Sequence, residues 1–81
     1  MRVTFASTTP VEYTINPTVT YDLSVADGDI TVERLKLDGA WVEVDGSPVT
    51  DGEEVTLRTK GDSGKIRVTP SAIGTEMILE G

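Results

Sequence analysis

Residues 27–52 read DGDITVERLKLDGAWVEVDGSPVTDG, and this stretch decides the fold. It contains four Asp-Gly pairs, at 27–28, 38–39, 45–46 and 51–52, separated by short runs rich in Val, Ile, Leu and Thr. Asp-Gly supplies the positive φ angles that tight turns require, and the runs between the pairs have the composition of strands. The stretch therefore predicts short antiparallel strands joined by tight turns.

The same pattern extends in both directions along the chain. Alternating apolar residues predict an edge strand at 11–15, where Pro10 and Pro17 are tolerated because proline cannot donate to a sheet ladder. A half-buried strand is predicted at 19–25, and further strands are predicted at 30–37, 41–44, 55–57, 66–68 and 77–79. The alternation changes parity near Glu33-Arg34, which predicts a β-bulge.

No stretch has sustained helical periodicity, so the predicted fold class is all-β. We expect a small antiparallel β-sandwich of immunoglobulin-like type with about seven short strands, and a small β-barrel is the alternative. The 81 residues suffice for one domain. We expect residues 1–18 to form an extended arm or an edge strand and residues 19–81 to form the single β-sandwich domain.

Composition limits the size of the core and the class of partner. Only 37% of the residues are hydrophobic and none is cysteine, so a small core without disulfides is expected to need an oligomer or a partner surface. The N-terminus lacks the apolar run of a signal peptide, and no apolar segment is long enough for a membrane span. We therefore expect synthesis in a cytoplasm and no membrane partner.

The charge is strongly acidic and unevenly distributed. The net charge of −7 argues against a nucleic-acid partner. Residues 22–54 hold ten acidic residues, whereas residues 58–67 hold the basic residues Arg58, Lys60, Lys65 and Arg67 against a single acid.

These four basic residues are predicted to lie on one hairpin. A four-residue loop at 61–64 would pair Lys60 with Lys65 and Arg58 with Arg67. Like charges directly opposite each other destabilise a sheet, so something acidic is expected to neutralise them. Water or an adjacent strand of the same domain can do so. The sharper hypothesis is an acidic partner, including the acidic 22–54 region of another copy.

The environment of Trp41 depends on the register of the preceding turn. A two-residue turn at Asp38-Gly39 places Trp41 opposite Lys36 and off the core face, whereas a three-residue loop pairs Trp41 with Leu37 and buries it. Burial is the usual state of a lone tryptophan in a small domain. An exposed Trp41 would instead be an anchor for a protein or a sugar.

The residues that usually carry catalysis are scarce. Histidine and cysteine are both absent, which removes the commonest general base and the reactive thiol. The run Gly61-Asp62-Ser63-Gly64 matches the nucleophile motif of trypsin-like proteases, but a glycine-bounded loop explains it, since no histidine can activate Ser63. Paired turn carboxylates such as Asp27 with Asp29 are expected to cap turns. We expect no enzymatic activity, no catalytic residue, no cofactor and no metal site.

The segment LDGAWVEVDGSPV at 37–49, continuing to GKIRVTP at 64–70, resembles small β-sandwich proteins of tailed-phage virions, namely capsid decoration (cement) proteins and head-fibre proteins. The resemblance implies a non-enzymatic accessory protein of the virion, made in the host cytoplasm. It would bind the major capsid protein, copies of itself, or both. We expect it to bind neither nucleic acid nor a membrane. The alternative is an immunoglobulin-like module that binds carbohydrate or protein through an exposed aromatic residue. The candidate interface residues are Arg58, Lys60, Lys65, Arg67 and Trp41.

Overall fold

The computed structural model describes all 81 residues, and its regular secondary structure consists of eight β-strands. They are β1 (Arg2–Thr4), β2 (Val11–Thr14), β3 (Tyr21–Ala26), β4 (Ile30–Leu35), β5 (Trp41–Glu43), β6 (Glu54–Leu57), β7 (Lys65–Pro70) and β8 (Glu76–Glu80). The predicted all-β class is confirmed, and each predicted strand is present. β1 is an additional strand. The chain forms no helix long and apolar enough to cross a membrane.

The strands form two antiparallel sheets that pack as a sandwich, as predicted. The first sheet has the order β1-β8-β3-β6, and the second has the order β2-β7-β4-β5. The partners are nested, because β1 pairs with β8, β2 with β7, β3 with β6 and β4 with β5. The chain is therefore one long hairpin centred on residues 37–39 and folded over itself, which is the eight-stranded jelly-roll arrangement.

This strand order differs from the immunoglobulin order. An immunoglobulin sandwich keeps its first two strands side by side in one sheet. Here β1 and β2 lie in different sheets, and the chain changes sheet at every connection except the one between β4 and β5. The reason is that most of the Asp-Gly turns direct the chain across the sandwich, and only the turn at 38–39 closes a hairpin within one sheet.

One hydrophobic core fills the space between the sheets. Leu23 and Met77 of the first sheet and Ile30 and Ile66 of the second are completely buried. Burying a side chain of this size stabilises the fold by about 1.5–3 kcal/mol. The two N-terminal strands are the outer strands of the two sheets. The segments that follow them contribute Phe5 and Ile15 to the core, so the core draws on the whole length of the chain.

The predicted turns have the backbone geometry that Asp-Gly favours. The glycines of all four pairs have positive φ, as illustrated by Gly39 with a φ of 88° and Gly52 with a φ of 81°. Gly64 also has positive φ, and a Cβ there would lie 3.0 Å from the carbonyl oxygen of Ile15. A side chain at residue 64 would therefore strain the backbone and collide with the backbone of Ile15, which directly follows β2.

The β-bulge predicted near Glu33-Arg34 is absent. β4 pairs with β7 without interruption from Ile30 opposite Pro70 to Arg34 opposite Ile66. The apolar alternation changes parity because Arg34 follows Ile30 and Val32 on the inner face of the sheet. Arg34 forms an ion pair with Asp62. A charged side chain thus occupies an inward-facing position where the pattern would have an apolar one, and the strand contains no bulge.

Candidate interaction surfaces

The predicted basic hairpin does not form. β6 pairs with β3 in the first sheet, whereas β7 pairs with β2 and β4 in the second. Residues 58–64 therefore cross from one sheet to the other, and the predicted pairings of Lys60 with Lys65 and of Arg58 with Arg67 are wrong. A loop that closes a hairpin and a loop that crosses a sandwich contain the same turn residues, glycine above all. The sequence therefore could not show which kind of loop residues 58–64 form.

Arg67 is neutralised within the chain. It lies between Glu12 of β2 and Glu33 of β4 in the cross-strand register. Its Nε and Nη2 atoms each donate to one carboxylate oxygen of Glu33 at 3.0 Å. This hydrogen-bonded carboxylate raises the pKa of Arg67, because it favours the charged guanidinium. The alternative in which an adjacent strand of the same domain neutralises the charge is therefore correct for Arg67.

Trp41 lies on the outer face of the second sheet, where it is partly exposed. The loop before it spans residues 37–39, with the Lys36 amide donating to the Ala40 carbonyl oxygen at 2.9 Å. Trp41 is consequently opposite Leu35, which matches neither predicted register. Burial and exposure of Trp41 were both open from the sequence, and the structure shows that Trp41 is not one of the 13 core residues.

The loop 61–64 is tied to the second sheet by side chains. Nη1 of Arg34 donates to both carboxylate oxygens of Asp62, at 2.9 and 2.8 Å, and the Asp62 side chain is only 6% exposed. The Ser63 hydroxyl donates to the carbonyl oxygen of Leu35 at 3.0 Å. These bonds agree with the interpretation of this run as a structural loop.

Three of the seven Lys and Arg side chains form ion pairs, and these are Arg2, Arg34 and Arg67. The other four are exposed, and we call them the basic end: Lys36, Arg58, Lys60 and Lys65. They gather because β4 and β6 end just before Lys36 and Arg58, while the antiparallel strand β7 begins at Lys65. Of the candidate interface residues, the structure thus groups Arg58, Lys60 and Lys65 and places Arg67 with Trp41.

The opposite end of the sandwich carries turn carboxylates. Oδ1 of Asp51 accepts a hydrogen bond from the Asp27 amide at 3.0 Å, and Oδ1 of Asp29 accepts one from the Asp51 amide at 3.2 Å. Glu53 accepts from the hydroxyl of Thr50. The carboxylates stabilise the connections at 27–29 and 50–53 in the way that Asp usually stabilises turns. No group of three or more potential metal ligands is found.

The outer face of the first sheet is acidic, and sequence reasoning did not identify it. Asp22 lies directly opposite Glu80, and Glu54 and Glu76 lie on the same face. Arg2 pairs with Glu76 and is the cation of this face. The period-2 alternation within β8 places Glu76 and Glu80 on one side, but only the pairing of β8 with β3 brings Asp22 to them.

Two grooves adjoin Arg58 and Lys60. The larger one, of about 520 Å³, lies between the edge strands β5 and β6, and its lining includes the carboxylates Glu43 and Asp45 as well as Arg34. The smaller one, of about 160 Å³, lies between residues 17–20 and residues 58–60. Arg58 and Lys60 are therefore accessible from both sides.

No family model matches the chain, and no similar protein was found among curated proteins or among solved structures.

Proposed function

We propose that this chain is a non-enzymatic structural protein that binds a larger protein assembly through its basic end, as a decoration protein binds a phage capsid. The observation that carries the proposal is the gathering of four exposed cations without ion pairs in a chain of net charge −7. None of the side chains of the basic end forms an ion pair within the chain. Such a charge patch favours encounter with an acidic surface and orients it.

The sheet edges beside the basic end supply a second element of recognition. β5 and β6 each pair with one strand only, so their outer backbone groups are free. Free edges of this kind accept an extended segment from another protein. The groove between them is lined by the cations Arg34, Arg58 and Lys60. It is also lined by the carboxylates Glu43 and Asp45, so it suits a segment that carries both kinds of charge.

The proposed partner is a major capsid protein, a second copy of this chain, or both, and the proposed location is the virion. The support is the sequence resemblance together with the basic end. Jelly rolls occur in viral capsid proteins and in lectins. The fold is therefore compatible with this proposal and equally compatible with other binding roles.

Density-gradient purification of particles from the native source tests this proposal. Mass spectrometry should find the 8.7 kDa chain at a fixed ratio to a major shell protein. Particles stripped of the chain should then rebind the recombinant protein but not an Arg58→Gln/Lys60→Gln variant. Absence of the chain from particles, with all of it in the soluble fraction, would defeat the proposal.

A matched control separates local docking from net charge. The Thr8→Glu/Thr9→Glu variant has the same net charge as Arg58→Gln/Lys60→Gln, but its substitutions are exposed in the loop between β1 and β2. We expect this control to rebind particles like the unmodified protein. Equal loss of binding in both variants would show that general repulsion, and not the basic end, governs association.

A second candidate function is a module that binds carbohydrate or protein through Trp41. The observation that favours it is the position of this indole on the outer face of a sheet, clear of the core. Fluorescence titration with a sugar panel tests it, since a ligand that contacts the ring should change the emission saturably. A Trp41 emission that no sugar alters would count against this candidate.

A further inference from the structure

We propose that the smaller groove, between residues 17–20 and residues 58–60, is a binding site for a single oxoanion: a carboxylate, sulfate or phosphate group. The inference deepens the proposed function, on which it rests for its biological partner, because it names the chemical group that the basic end would hold.

The lining of this groove has an unusual chemical character for so acidic a chain. Arg58 and Lys60 contribute two cations, and Thr20 and Thr59 contribute hydroxyl groups, whereas the Thr18 hydroxyl already donates to Oδ1 of Asn16. The remaining two lining residues are apolar, so none of the 14 Asp and Glu side chains contributes to it. Cations and hydroxyl donors without a competing carboxylate are the groups that bind oxoanions.

Thr59 provides a second, independent reason to place a ligand in this groove. Its residue is 1% exposed, and its Oγ1 atom is buried without a hydrogen-bond partner. It is the one buried side-chain polar atom in the chain that lacks a partner. An unpaired buried hydroxyl loses its hydrogen bonds to water without replacing them, which is why native proteins almost always satisfy such a group. Because Thr59 lines the groove, an oxoanion there would satisfy the hydroxyl once the side chain rotates toward the groove.

Free backbone donors are present in the same loop. The amides of Thr59, Lys60 and Gly61 donate no hydrogen bond within the chain. Successive free amides in a turn are a recurrent element of anion sites. Gly61 has a φ of 89°, which reverses the chain directly after Lys60.

The dimensions fit a small ligand. A volume of about 160 Å³ accommodates one small anion and a few waters, since a water occupies about 30 Å³. A free anion and the side-chain carboxylate of a partner's Asp or Glu share this chemistry, and competition by an acidic peptide distinguishes these two sources.

The test is an NMR titration of the isolated, full-length protein with inorganic sulfate at constant ionic strength. We expect saturable shifts of the amide signals of Thr18, Thr20, Thr59 and Lys60. The Arg58→Gln/Lys60→Gln variant should lose at least tenfold in affinity. The Lys36→Gln/Lys65→Gln variant removes the same charge from the same end but not from the groove, and it should bind like the unmodified protein. Equal weakening in both variants, or shifts that do not saturate, would overturn the site.

Thr59→Val separates the hydroxyl from the cations. This variant keeps the side-chain shape, so its stability without anion should be equal to or higher than that of the unmodified protein. Its affinity for sulfate should fall about two- to tenfold, as expected for one lost hydrogen bond. Unchanged sulfate affinity in Thr59→Val would remove the hydroxyl from the site.

A second titration with a short polyglutamate peptide identifies the source of the anion. Competition between the peptide and sulfate at the same signals would assign the groove to a partner's carboxylate, whereas sulfate binding without competition would assign it to a free anion. Loss of sulfate binding with retained particle binding in Arg58→Gln/Lys60→Gln would leave the anion site standing and overturn the proposed docking surface.

Discussion

Arg67 stacks on Trp41, with its guanidinium carbon 4.4 Å from the centre of the indole ring. Because Glu33 holds the same guanidinium through two hydrogen bonds, the cation is fixed in the orientation in which it covers the ring. A planar guanidinium can stack flat on the ring while it donates two hydrogen bonds to one carboxylate, a geometry that an ammonium lacks. Trp41 is therefore part of an ordered outer surface although it lies outside the core.

Substitution of Arg67 should expose Trp41. In Arg67→Gln we expect a red-shifted emission and a higher rate of acrylamide quenching, because the ring loses the group that covers it. Lys65→Gln is the matched control, since Lys65 lies two residues earlier on the same face of β7. Unchanged quenching in Arg67→Gln would mean that the stacking does not persist in solution.

The ion pair between Arg34 and Asp62 should contribute to stability. Arg34→Met leaves the carboxylate of Asp62, which is 6% exposed, without its cation. We expect a loss of about 2 kcal/mol in the free energy of unfolding, below the 3–5 kcal/mol of a fully buried pair because Arg34 is partly exposed. Urea denaturation measures this change.

Removing both charges provides the control for that experiment. Arg34→Met combined with Asp62→Leu should recover most of the lost stability, because no buried charge then remains unpaired. A double variant as unstable as Arg34→Met alone would show that Asp62 stabilises the loop in another way.

Burial of Tyr13 predicts a loss of stability at alkaline pH. Desolvation raises the pKa of Tyr13 above its ordinary value of 10.0, so the folded state retains the phenolic proton more tightly than the unfolded state. The resulting stability is present below pH 10 and is lost as the pH rises through the folded pKa. Thermal unfolding between pH 8 and 11 should show a smaller decline for Tyr13→Phe than for the unmodified protein. Equal declines would contradict the prediction.

The core should be sensitive to truncation at one leucine and insensitive at another. Leu23 is 0% exposed, and Leu23→Ala should cost about 2–5 kcal/mol, enough to threaten folding of so small a protein. Leu37 is 78% exposed at the central turn, and Leu37→Ala should change the free energy of unfolding by less than about 0.5 kcal/mol. Chemical denaturation of the two variants makes the comparison, and similar costs would refute the assignment of the core.

Strands and turns could be predicted from the sequence because they depend on neighbouring residues. The alternation around Leu23 and Val25 and the Asp-Gly pairs indicated β3 and the turn after it, and both are present. β1 was missed because three residues are too few for an alternation to be recognised.

Strand partners could not be predicted, because they depend on contacts between distant residues. Nothing near Arg67 shows that Glu33 will lie beside it, and this unseen contact removed Arg67 from the predicted basic surface. The orphaned hydroxyl of Thr59 is likewise visible only after the loop is folded, since threonine is an ordinary surface residue in sequence terms.

The nested pairing has a consequence for how the chain folds. β8 lies inside the first sheet, between β1 and β3, and the amide of Leu79 donates to the carbonyl oxygen of Met1. Contacts between such distant segments make the contact order high and folding slow. During synthesis on a ribosome, the first sheet cannot close until β8 has emerged, however early the other seven strands are available. Until then β1 and β3 lack their common neighbour, and this interval is when the nascent chain is most exposed to mispairing.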